Sequence, residues 1–110
     1  MSADSCVAYI GLRYDIGAAE IAALEGRSDP RQVAARHAGL KSYWANFGGA
    51  NERYVLFVGT ELAVLGPEGK RAISLTSQEL TEVIVQTRKQ LDRTSLGGEV
   101  ALHMEFLEDV

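Results

Sequence analysis

The stretch RYVLFVGTELAVLGPEGKRAISLTSQELTEVIVQTRKQLDR, residues 53–93, decides the fold because its hydrophobic period changes part-way along. From Tyr54 to Val58 and again from Glu61 to Leu65 it is rich in aromatic and β-branched residues, the composition of strands. Gly59-Thr60 between them suits a type II′ hairpin, which takes glycine first. Gly66-Pro67-Glu68-Gly69 offers a second turn into Lys70–Leu75. The reading is a three-strand antiparallel meander.

Two faces follow from that register. One carries Val55, Phe57, Leu62, Val64, Ile73 and Leu75; the other carries Tyr54, Leu56, Val58, Ala63, Leu65 and Ala72, with Glu61, Lys70 and Ser74 among them. Neither has the clean polar alternation of a sheet with one wet side, so both require cover. Tyr54, Leu56, Val58 and Leu65 would otherwise form an exposed patch too apolar for a monomer, which makes them the interface candidates.

After Leu75 the period becomes that of a helix. Thr76 and Glu79 form an S/T-x-x-E capping box, and Leu75 and Leu80 are spaced as a hydrophobic staple. Leu80, Val83, Ile84, Thr87 and Leu91 continue one stripe. Arg88, Lys89 and Arg93 suit the negative end of the helix dipole, and Gly97-Gly98 marks a stop.

Upstream, Met1–Ser5 is small and polar and expected to fray. Cys6–Tyr14 alternates as a central strand, in which Gly11 permits a close approach. Gly17–Glu25 is read as a short helix held by Ile21 and Leu24. Asp29-Pro30 is an N-cap followed by proline at the first helical position. Val33, His37, Leu40, Trp44 and Phe47 then predict one helical stripe, with Gly39 a destabilising residue inside it. Near the end, Glu99–Leu107 alternates as a strand, with Val100, Leu102, Met104 and Phe106 on one face and Glu99, Ala101, His103 and Glu105 on the other.

The order predicts an α+β fold: an antiparallel sheet with helices packed on it. If Lys70–Leu75 only extends a strand, the order is βαββαβ, the ferredoxin-like arrangement with an extra strand. At 110 residues the chain reads as one domain, long enough to bury a core without disulfides or metals. A net charge of −4 lacks the basic patch that nucleic acid requires. One cysteine, Cys6, excludes an intramolecular disulfide, and the N-terminus carries neither a basic nor an apolar leader; the expectation is a cytoplasmic protein. No apolar run approaches the ~20 residues of a membrane span.

Function is not written in any motif. The glycine pairs match neither a dinucleotide fingerprint nor a Walker loop, and His37, His103 and Cys6 lack metal-ligand spacing, so no cofactor or metal is expected. His37 reads as a core histidine and Cys6 as a small hydrophobe. His103 and Glu105 share a strand face, and Arg13, Asp15 and Tyr9 join them if the last strand lies beside the first. That cluster could bind an anionic small molecule or do acid-base work; a solvated face of ion pairs is the plainer reading, and an enzyme the less favoured one. The preferred expectation is a small protein-interaction module, homodimeric, of regulatory type or of the immunity-protein kind that caps a basic partner. The alternative is a small-ligand binder or acid-base enzyme built on His103.

Overall fold

A computed structural model describes residues 4–67 and 69–107. It is an α+β fold: one four-stranded antiparallel sheet, in the order β2-β3-β1-β4, with helices packed against it. The strands are β1 (Ser5–Ile16), β2 (Lys41–Asn46), β3 (Tyr54–Leu65) and β4 (Ala101–Leu107). A 3-10 turn, Ala18–Glu20, leads into α1 (Ile21–Glu25), followed by α2 (Pro30–His37); α3 (Ser77–Leu91) joins β3 to β4. The frayed start expected for residues 1–5 falls largely outside the described residues, but Ser5 already belongs to β1. The acidic tail, Glu108–Val110, also lies outside them.

The three-strand meander is not formed. Gly59-Thr60 is not a turn: β3 runs through it for twelve residues, paired along nearly its whole length with the equally long β1. Gly59 sits directly opposite Gly11, and both have positive φ, 156° and 152°. A Cβ on either would overlap the backbone of the other strand, at the Val58 or the Ile10 carbonyl. The glycine therefore serves a close strand approach rather than a hairpin. Leu62 is the extra residue of a bulge, where Tyr9 pairs with Glu61 and Ala8 with Ala63. Leu65 does meet Lys70, but through one isolated bridge, and Ala72–Thr76 is irregular, so there is no extra strand.

The long helix expected up to Phe47 stops at His37. Gly39 is its left-handed terminator (φ 75°): the Leu40 N–H donates to the Ala35 carbonyl (2.8 Å) and Gly39 N–H to Arg36 (3.2 Å), the two bonds of a Schellman motif. Trp44 belongs to β2, and Phe47 lies just beyond it. The N-terminal signals hold. Asp29 caps α2 with proline first, and Thr76 and Glu79 make the reciprocal box of α3. α3 ends at Leu91, before Gly97-Gly98.

Two cores lie on opposite faces of the sheet. Leu12, Ile16, Leu56 and Val58 pack with Leu24, Ala35, Ala38, Leu40 and Leu91 from the helices and their connections. Across the sheet, Val7, Tyr9, Val55 and Phe57 cluster with Phe47, and no helix residue joins them. Their own rings close this face: Phe57 stacks on Tyr9 (5.6 Å between centroids) and meets Phe47 edge-on (5.7 Å). Leu56 and Val58 are fully buried under helices, and Tyr54 and Leu65 are half-buried. The exposed patch expected from these four residues is absent because α1, α2 and α3 cover that face of β3.

Candidate functional site

The open sheet face gathers the polar residues singled out by alternation. β4 pairs with β1, placing His103 opposite Tyr9 and Glu105 opposite Val7. Arg13 donates from Nε and Nη2 to Glu105 Oε1 (3.2 and 3.0 Å) and from Nη1 to Asp15 Oδ1 (3.0 Å). Arg53, at the entry to β3, adds a third donor to the same Glu105 oxygen (3.2 Å). His103 Nε2 lies 3.2 Å from the Gly11 carbonyl oxygen, and its ring rests 5.9 Å from Phe57. Tyr9 donates to Glu61 (3.4 Å); burial, and then the Glu61 charge, push its hydroxyl well above the usual tyrosine range. Glu105 Oε2 is buried and has no hydrogen-bond partner.

The other expected candidates do not join this cluster. His37 is exposed at the end of α2, not buried on a stripe, because the stripe that included it is broken at Gly39. Cys6 is a half-buried free thiol in β1, between Leu65 and Phe106 on the neighbouring strands. Among the described residues, no three His, Cys, Asp or Glu side chains converge as a metal site would require, and no helix is long and apolar enough to cross a membrane.

The helix-side face of β4 presents the more unusual chemistry. Leu102, Met104 and Phe106 pair in register with Ile10, Ala8 and Cys6. Ile10 in turn sits opposite Thr60, whose hydroxyl lies 2.6 Å from that of Thr87 in α3, so this row faces the helix layer. Yet no helix reaches over it. Leu102, Met104 and Phe106 are 49, 55 and 55% exposed, and Val85 of α3 is 43% exposed. Arg88 of α3 and Asp92, which follows it, line a cleft of about 440 Å³ with Leu96 and Val100, the segment entering β4. Val85 lies on the side of α3 opposite the buried Thr87 and faces outward.

The pattern of β4 is thus inverted: its apolar row is exposed, while polar His103 and Glu105 are half-buried beside Phe57 and the arginines. The alternation was visible in the sequence, but not which side would be covered. Arg53 was missed; at the mouth of a strand, it gave no signal.

A second polar network supports the helix layer. Buried Asp29 caps α2 and accepts from Arg31 Nε and Nη2 (2.9 Å each); Arg31 also reaches Glu20 (3.2 Å) and lies over the Tyr14 ring (5.0 Å). Hydrogen bonds from Arg31 hold the Asp29 carboxyl below the usual range against the opposing effect of burial. These Arg31 bonds serve a cap and ion pairs within the fold.

Comparison with known proteins adds no identity: no family model, curated protein or solved structure matches the chain.

Proposed function

We propose that the protein is a small cytosolic interaction module that self-associates as a homodimer through β4. The observation that carries this reading is the row Leu102, Met104 and Phe106, half-exposed on an edge strand with only one neighbour. Natural edge strands are protected by lysines, prolines, bulges or a covering element. Between Ala101 and Leu107 there is no lysine and no proline. The interface thus moves from β3, where the sequence suggested it, to the edge that the helices leave bare.

The test is the solution mass by light scattering over a range of protein concentrations. The wild type is expected at about twice 11.9 kDa, and Leu102→Glu at the monomer mass with unchanged circular dichroism. A charge forced into an apolar seam weakens association by at least ~100-fold. A wild-type monomer at all concentrations would defeat the reading.

A second reading rests on the unpartnered Oε2 of Glu105 beside His103. It takes the open face as a small-ligand or acid-base site made of His103 and the linked Arg13, Asp15 and Glu105. The geometry favours it less, since Glu105 Oε1 already holds two arginines and His103 already contacts the Gly11 carbonyl. It requires His103→Ala to abolish ligand binding or turnover while leaving the thermal midpoint in place.

A further inference from the structure

Resting on the self-association reading, we infer the geometry of the seam: β4 pairs antiparallel with β4 of a second copy about a two-fold axis through Met104. The observations are the free edge of β4, the separation of its two faces, and the order of residues along it.

A two-fold antiparallel strand pair keeps both helix layers on the same side of the joined sheet, so each residue must face one from the same side. Only registers centred on a single residue meet this condition. Centring on Met104 sets Leu102 against Phe106 and Met104 against itself, so every exposed apolar residue of the row meets another. On the opposite face it sets His103 against Glu105 of the second copy and Ala101 against Leu107. All seven residues of β4 are used, because Met104 is the midpoint of Ala101–Leu107.

The neighbouring registers fail on chemistry. Centring on His103 places two imidazoles face to face and leaves Phe106 against Val100, which precedes the strand. Centring on Glu105 opposes two carboxylates and leaves Leu102 without a partner in the strand. Like charges directly across a strand pair are destabilising, whereas opposite or apolar pairs stabilise it. The overall charge of −4 is not an obstacle at this edge, where Arg13 and Arg53 converge on the only acidic residue of β4. The product is an eight-stranded sheet, twice the four strands of one chain.

Disulfide trapping in a Cys6→Ser background tests this directly, because Cys6 is the only native thiol. Facing residues in an antiparallel pair have Cα atoms ~4.5–5.5 Å apart, within disulfide range. Under mild oxidation Met104→Cys is expected to give mostly covalent dimer. Leu102→Cys alone should give little, since the two copies of residue 102 lie ~14 Å apart along the strands, but an equimolar mixture of Leu102→Cys and Phe106→Cys should cross-link. If light scattering shows a dimer and Met104→Cys stays uncoupled, or Leu102→Cys couples with itself, the register is wrong and self-association survives. If the protein is a monomer at every concentration, both proposals fall together.

Discussion

The two edges of this sheet are built differently. β2 begins with Lys41, carries Ser42 and Asn46, and turns its large helix-side residue, Trp44, against Tyr54 (6.2 Å). Helices α1 and α2 stand beside it, contributing Leu24, Gln32 and Arg36 to a cleft of about 820 Å³ shared with Leu40 and Trp44. β4 has a similar length but no lysine, and the corresponding space over Leu102, Met104 and Phe106 is vacant. Two helical segments are spent on one edge and none on the other. An edge is made inert by what its own chain lays over it, and the alternation of the strand alone cannot reveal whether that has been done.

The largest effect that sharpens this contrast is on stability. Leu56→Ala removes a fully buried side chain beneath the helices and is expected to lower unfolding free energy by about 3 kcal/mol. Met104→Ala, on the bare half of the same face, should lower it by about 1 kcal/mol or less. Urea unfolding of both in the monomeric Leu102→Glu background compares them, since in the proposed dimer Met104 is itself covered at the seam; equal losses there would mean that the chain covers β4 as well as β3.

A smaller effect probes what holds the covered side. Asp29→Ala removes the cap of α2 and its bond to Arg31, at a cost of about 1 kcal/mol. Because folding depresses the Asp29 pKa, its contribution is present above the unfolded carboxyl value of about 3.9 and disappears as pH falls through the lower folded value. Stability measured between pH 5 and pH 2 should therefore show a shallower acid loss in Asp29→Ala than in the wild type.

The smallest effect is the control. Lys41→Glu alters charge on the protected edge, and should leave stability within about 0.5 kcal/mol and the solution mass unchanged. A change in mass would place the seam at β2 instead and break the comparison.

What could be read from the sequence divides along physical lines. Signals satisfied within a few residues were legible: the Thr76–Glu79 box, the Asp29-Pro30 start and the placement of β1 inside the sheet. Gly59-Thr60 was not, because a glycine that opens a hairpin and one that admits a facing glycine look identical until Gly11 is brought opposite. Trp44 and Phe47 fall on a helical period by coincidence, and Gly39, a weak point by propensity alone, is the terminator. The grouping of Arg13, Asp15, His103 and Glu105 was foreseeable once the last strand was set beside the first, since it needs only strand alternation. The exposed row on β4 was not, because it depends on where α3 lies across the sheet, and no residue of β4 encodes that.

The pairing of β1 also bears on the order in which the molecule assembles. Val7 takes Val64 on one side and Glu105 on the other, so the first strand made waits for partners from the middle and the end of the chain. β2 and β3, adjacent in sequence, close cheaply, while both ladders of β1 must first overcome the entropy of long loops. Twelve residues of β1 therefore emerge early without a strand to pair with. β4 arrives last, completes the shelter of the oldest strand, and in doing so becomes the new edge.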